Sequence, residues 1–166
     1  MSYYIIIRGP LGIGKSTVAK KLSEILNAKY IDIDSILKKK GLDKVDKDME
    51  CIPAKNFIKA DEIILPKIKE NLNKGKIVIF DACFYHKDHI EHIIQNLSYP
   101  HYIFTLKAPL EVCIERDSKR KKTHGKDAAT AVHYLVSKFD YGTMIDISKK
   151  SIDQAVQEIL SYLPKY

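Results

Sequence analysis

The stretch Gly9-Pro10-Leu11-Gly12-Ile13-Gly14-Lys15-Ser16-Thr17 sets three glycines ahead of a lysine and two hydroxyls. It fits the pattern G-x-x-x-x-G-K-[ST], whose chemistry is the cradling of phosphate oxygens. Glycine lets the backbone wrap close to those oxygens, and the amides that open a following helix face them with the positive end of its dipole. Lys15 is expected to reach the β- and γ-phosphates of a nucleoside triphosphate, and the Ser16 hydroxyl to ligate Mg²⁺. Gly9, Gly12, Ile13, Gly14, Lys15, Ser16 and Thr17 are therefore the candidate nucleotide-binding residues.

Carboxylates and arginines elsewhere could complete such a site. Asp32 and Asp34 stand two apart at the predicted end of a second strand, a spacing that sends both side chains to the same side of a sheet. One could serve the Mg²⁺ shell while the other orients or deprotonates an acceptor hydroxyl; the competing reading is that Asp34 caps a helix starting at Ser35. Asp81 closes the apolar run Ile77-Val78-Ile79-Phe80 and so occupies the place of a Walker-B-type aspartate, a metal contact direct or through water. Cys83, Phe84 and Tyr85 follow it as wall residues for an acceptor pocket or as ordinary loop packing. Six basic residues lie between Arg116 and Lys126 against one acid, Asp117, which concentrates +5 of the formal +7 in one segment. The chain has only three arginines, and Arg116 and Arg120 stand four apart within it. On a helix they would share a face, and a cationic flap closing there would bring charge to a transferring phosphoryl group.

Two other signals carry less. His86, His89 and His92 follow one another at steps of three, which drift around a helix and do not converge on one metal. Ser137-Lys138-Phe139-Asp140 loosely resembles a guanine-specificity sequence but falls in a helical segment rather than at a strand end.

The elements that must position these residues alternate between short β-branched runs and longer helical periods, the mark of a parallel sheet covered by helices. Strands are predicted over Tyr3 to Arg8, Tyr30 to Ile33, Ile77 to Phe80, His101 to Leu106 and Met144 to Ile147. Helices are predicted over Lys15 to Leu26, from Ser35 to a stop at Gly41, Asn56 to Leu72 with a kink at Pro66, His86 to Leu97, Leu110 to Ser118, Ala128 to Phe139 and Ile152 to Leu163. The 166 residues, 45% hydrophobic, suffice for one core and are short for two domains. The apolar run Tyr3 to Ile7 is broken at Arg8, far below the roughly 20 residues of a membrane span, and no secretory leader is legible. A cytoplasmic protein with no membrane partner is expected. Cys51, Cys83 and Cys113, odd in number and widely spaced, predict free buried thiols.

On these residues the chain resembles the small P-loop kinases, the group of shikimate, gluconate, adenylylsulfate and nucleoside monophosphate kinases. The resemblance implies a three-layer α/β/α fold with a five-stranded parallel sheet, a single domain over 1–166, a substrate-binding insertion at about 35–75 and a lid at about 115–127. It also implies ATP and Mg²⁺. Asp32-x-Asp34 looks like the Asp-x-Asp of shikimate kinases, by which Asp32 would serve Mg²⁺ and Asp34 the acceptor hydroxyl; Arg116 and Arg120 look like the lid arginines. Shikimate kinases follow strand three with a glycine-rich turn and hold a carboxylate with arginines, whereas this chain has Asp81-Ala82-Cys83-Phe84 there and no arginine between Arg8 and Arg116. That absence also weakens a nucleoside monophosphate acceptor, for which Lys44, Lys47, Lys55 and Lys59 offer only point charges. The expected activity is ATP-dependent phosphorylation of a small-molecule hydroxyl, with Lys15, Asp34, Arg116 and Arg120 catalytic and Ser16, Asp32 and Asp81 about the metal. Nucleoside monophosphate kinase, polynucleotide-end kinase acting on nucleic acid, and nucleotide-dependent switch or accessory ATPase are the alternatives.

Overall fold

Side chains alternate across the first strand, and this alternation divides the interior in two. β1 (Tyr4–Arg8) is buried at every residue, so both of its faces must be covered. Ile5 and Ile7 enter one core with Val18, Leu22, Val156 and Ile159. Tyr4 and Ile6 enter the other with Leu37, Phe57, Ile68 and Ile90. The computed structural model describes residues 1–165.

After β1 come α1 (Lys15–Ile25), β2 (Lys29–Asp32), α2 (Ile33–Lys39), α3 (Ala54–Asn73), β3 (Val78–Asp81), α4 (Lys87–Asn96), β4 (His101–Lys107), α5 (Leu110–Ser118), α6 (Lys126–Ser137), β5 (Thr143–Asp146) and α7 (Ile152–Ser161). The strands lie in the order β2-β3-β1-β4-β5, and every pairing is parallel. α1 and α7 contribute to one core, and α2, α3 and α4 to the other. Because β1 has β3 on one side and β4 on the other, the chain leaves it at a topological switch point, where parallel sheets open a crevice at their carboxyl ends. The register sets Asp32 beside Asp81 at that edge.

The predicted α/β order holds at every element, with ends displaced by a few residues. Pro66 lies on the exposed side of α3, and the helix continues through it. α2 stops as expected at Gly41, which takes a φ of 66° while Leu42 N donates to Leu37 O at 2.8 Å and Gly41 N to Lys38 O at 3.2 Å. That pair of bonds satisfies carbonyls a helix end would leave open. All three cysteines are free and buried. Among the described residues no helix is long and apolar enough to cross a membrane.

Two polar groups sit wholly inside the apolar layers. Asp61 of α3 is fully buried and accepts from His89 Nε2 and His92 Nδ1 of α4, each at 3.1 Å. Steps of three drift too far for three histidines to meet one metal, but two of them reach one carboxylate. His89 is stacked between Phe57 and Phe84, with ring centroids 4.8 and 4.6 Å away. Arg8, also fully buried, donates to Phe84 O at 2.9 Å, Thr105 Oγ1 at 3.2 Å and Val136 O at 2.7 Å, and its guanidinium lies 4.2 Å from the Phe139 ring centroid. Burial pulls Arg8 down to about 10, and nearby Asp140 opposes that shift. Replacing Asp61 with alanine strands two imidazole N–H groups, and Asp61→Ala is expected to lower unfolding stability in urea by about 3 kcal/mol.

Candidate active site

The phosphate loop has the form its glycines predict. Gly12 and Gly14 take φ values of 78° and 93°, conformations that cost a side-chain-bearing residue of this kind energy. Gly14 is the N-cap of α1 and offers no side chain there, so the first amides of the helix face the crevice with no capping oxygen. Gly12 is also held by space, since a Cβ there would stand 2.2 Å from the Cys113 carbonyl oxygen of α5.

Lys15 is nearly buried, and its Nζ lies 3.6 Å from Asp81 Oδ1. Burial alone would lower its pKa, but Cys83, Asp81 and Asp34 close by more than offset that, and the ammonium is held above its usual range. Tyr30 donates to Asp81 Oδ2 at 2.5 Å. Its phenol is pushed up by burial first and by this hydrogen bond second, while a hydrogen bond with Ser16 acts the other way. Asp81 Oδ1 is buried with no hydrogen-bond partner. Ser16, Tyr30 and Asp81 thus form a polar array beside Lys15, with one carboxylate oxygen still open. Ser16, Asp32 and Asp81 offer hard oxygen donors of the kind Mg²⁺ takes when it arrives with phosphates. Among the described residues no three His, Cys, Asp or Glu side chains cluster as a self-sufficient metal cage.

The two aspartates after β2 divide differently from the expectation. β2 ends at Asp32 and α2 begins at once with Ile33, so the capping residue is Asp32 and the reading of Asp34 as the cap of a helix from Ser35 is corrected. Asp32 Oδ1 accepts from Ser35 N at 3.2 Å and Oδ2 from Ser35 Oγ at 2.7 Å. Asp34 stands in the first turn of α2, not on a strand, so strand alternation does not set its direction. Both still line a cavity of about 350 Å³ with Pro10 to Ser16, Arg116, Arg120 and His124. Asp34 opens onto this cleft, whose walls desolvate its carboxyl and raise its pKa, while Lys15 opposes the rise.

Arg116 and Arg120 both reach the cavity by different means. Arg116, on α5, donates to Ile13 O at 3.1 Å and Ile147 O at 3.3 Å, which ties the phosphate loop to the end of β5. Arg120 lies past the end of α5 and is exposed. The loop beyond it is folded back by Asp117, whose carboxylate accepts from His124 N and Gly125 N. The lysines of this segment are exposed, and Lys119 pairs with Glu115 at 3.0 Å.

A second cavity of about 400 Å³ adjoins the first, and Leu11, Asp34 and His124 line both. Phe57, Cys83 and Tyr85 form part of its wall, which fits the pocket role read for Cys83 and Tyr85. Burial pushes the Cys83 thiol up to about 12. Phe84 points into the core instead, with a left-handed φ of 50° and its carbonyl on Arg8. His86 Nε2 donates to Ile52 O at 2.7 Å. Sequence reasoning missed Tyr30 and His124. Tyr30 had a signal, since it precedes Asp32 by two on the same strand and so shares its side; His124 had none.

The family model AAA_33, described as an AAA domain, matches residues 5–136. A protein of Methanocaldococcus jannaschii named "Putative adenylate kinase" is 34% identical over 117 residues, 70% of this chain and 58% of that protein. The chain therefore matches less than two thirds of that relative's length. A Pyrococcus furiosus protein of the same name is 26% identical over 167 residues, 96% of this chain and 83% of its own. Among solved structures, the APS kinase of Mycobacterium tuberculosis is similar with a TM-score of 0.69 at 17% identity, covering 96% of each chain. That likeness establishes the shared fold.

Gly12→Ala puts a methyl group against the Cys113 carbonyl and demands a left-handed backbone. It is expected to weaken nucleoside triphosphate binding, measured by titration calorimetry, on the order of tenfold or more.

Proposed function

The chain belongs to the AAA domain family AAA_33, a group of P-loop kinase domains, and from that premise we propose that it transfers the γ-phosphoryl group of ATP to a hydroxyl of a small molecule. One observation carries this reading: Asp34 stands on the wall shared by the phosphate cavity and the second cavity. A carboxylate there meets both an acceptor hydroxyl and the phosphorus it attacks. The reading treats residues 1–166 as one domain, with the insertion at about 35–75 forming the acceptor wall and the segment at about 115–127 acting as lid.

In this mechanism the α1 amides, Gly12, Gly14 and Lys15 hold the β- and γ-phosphates. Ser16 and Asp81 would hold Mg²⁺, with Asp32 in its outer hydrogen bonding because both Asp32 oxygens already serve Ser35. Held there, the ion would supply positive charge that offsets the negative charge of the triphosphate. Asp34 takes the proton of the acceptor hydroxyl as the new oxygen–phosphorus bond forms. The bond from the γ-phosphorus to the β–γ bridging oxygen breaks in line, and its electron pair leaves with ADP. Arg116 and Arg120 supply positive charge over the phosphates as that charge shifts.

The names of the two relatives favour a second reading, phosphorylation of a nucleoside monophosphate. ADP formation from AMP, CMP or UMP with ATP tests it directly.

Lys15→Ala is expected to lower phosphotransfer, read as acceptor-dependent ADP release, on the order of a hundredfold or more with the circular dichroism of the fold retained. Full activity in that variant would sink the proposal. Asp34→Asn keeps the shape of the wall without a base and is expected to reduce kcat by roughly 10²–10⁴ while leaving the KM for ATP within about threefold.

A further inference from the structure

The second cavity carries its own chemistry. Its apolar lining includes Leu37, Val45, Ile52, Phe57, Tyr85 and Val132, and Phe57 meets Tyr85 edge-on at 5.5 Å between centroids. Its titratable lining sets Asp34, Asp43 and Glu50 against one lysine, Lys38, with His124 and Cys83 beside them. No arginine lines it, and Lys44, Lys47, Lys55 and Lys59, the point charges that might have held an anion, are absent from the lining as well.

The acidic wall is built into the loop between α2 and α3. Asp46 N donates to Cys51 O at 2.9 Å, closing a short antiparallel bridge. Within it Asp46 Oδ1 accepts from Asp48 N and Met49 N, and Glu50 takes a left-handed φ of 55°. On the far side Tyr85 Oη accepts from Ile52 N at 3.1 Å and His86 donates to Ile52 O. These bonds fix the turn that carries Glu50, and Asp43, Val45 and Glu50 line the cavity while remaining exposed to solvent. A phosphate or carboxylate on the acceptor would meet carboxylates here where anion-binding pockets present forked guanidinium groups.

Resting on the kinase reading above, we infer that the acceptor is a non-anionic hydroxyl compound, neutral or amine-bearing, with an apolar body that fills the second cavity and its hydroxyl at Asp34. The acidic wall repels phosphorylated and carboxylated acceptors and leaves the triphosphate as the only polyanion in the crevice. A nucleoside therefore fits and its monophosphate does not.

Matched probes test this. Tyrosol, tyramine and 4-hydroxyphenylacetate share one body and differ in charge; adenosine with AMP, and cytidine with CMP, do the same at larger size. Binding of each to the full-length chain is measured by calorimetry in the presence of a non-hydrolysable ATP analogue with Mg²⁺, and turnover by ADP release with ATP. In each set the neutral or amine member is expected to bind on the order of tenfold or more tightly than the anion. The double variant Asp43→Lys/Glu50→Lys should narrow or invert that ratio, with affinity for the ATP analogue as internal control. An anion that binds or reacts best in the unaltered chain overturns the inference. Failure of every probe to bind, or a ratio untouched by the double variant, overturns it too. Preferred binding of non-anionic probes without phosphoryl transfer to any would instead sink the kinase reading and leave the character of the pocket standing. Transfer to AMP or CMP with neglect of the nucleosides would uphold the kinase reading and overturn this one.

Discussion

Lys15 and Asp81 face each other across 3.6 Å at the carboxyl edge of the sheet, both almost out of water. A lysine buried there must keep company with negative charge, because an unpaired ammonium in that setting would lose its proton or the fold. Asp81 supplies the charge but leaves Oδ1 without a hydrogen-bond partner. The arrangement is a site prepared for a more highly charged guest. In the proposed mechanism phosphate oxygens would complete the lysine and a divalent ion the carboxylate. Much of the local structure serves this contact. β1 and β3 run side by side to bring the two ends together, Tyr30 fixes the other oxygen of Asp81, and Arg116 braces the loop that carries Lys15.

Beside the second cavity the corresponding anchor is Arg8. Its guanidinium joins the chain after β3, the end of α6 and the Thr105 hydroxyl of β4 through three hydrogen bonds. It thereby holds Phe84 in a left-handed backbone that a bulky residue rarely adopts. With Phe84 turned inward over His89, Cys83 and Tyr85 are free to face the second cavity. The wall of the second cavity thus depends on a cation buried at the end of β1, directly before the phosphate loop. Helix α6 is tied to the same point through Val136 O, so the end of α6 and the wall of the second cavity share one support.

Several features of the site were legible in the residues and several were not. The phosphate loop, Asp81 and the order of five strands could be read because each rests on local pattern: glycine spacing, an acid ending an apolar run, and the alternation of strand and helix. The aspartate pair was read as strand neighbours, yet the chain turns helical straight after Asp32 with no intervening loop. Which aspartate caps was therefore decided by where the strand stops, a boundary that periodicity fixes only to within a few residues. The spacing of the three histidines said nothing of Asp61, the partner of two of them, which stands 28 residues before His89 and on another helix. Lys44, Lys47, Lys55 and Lys59 offered point charges for a bound anion, and none of the four lines the second cavity.

By itself, then, the sequence determined that a phosphate loop follows the first strand of a parallel sheet, that acids end the second and third strands, and that cationic charge collects in one later segment. These follow from short-range rules of backbone freedom, side-chain alternation and helix period, which act within a few residues. Only the tertiary structure decided that Tyr30 buttresses Asp81, that Arg116 grips the phosphate loop from α5, that Asp34 belongs to two cavities at once, and that the second of these is walled with acids. Those contacts join residues tens of positions apart. They exist because packing two apolar faces against one sheet leaves a single edge where loops from different strands must meet, and no local pattern records which side chains will face one another there.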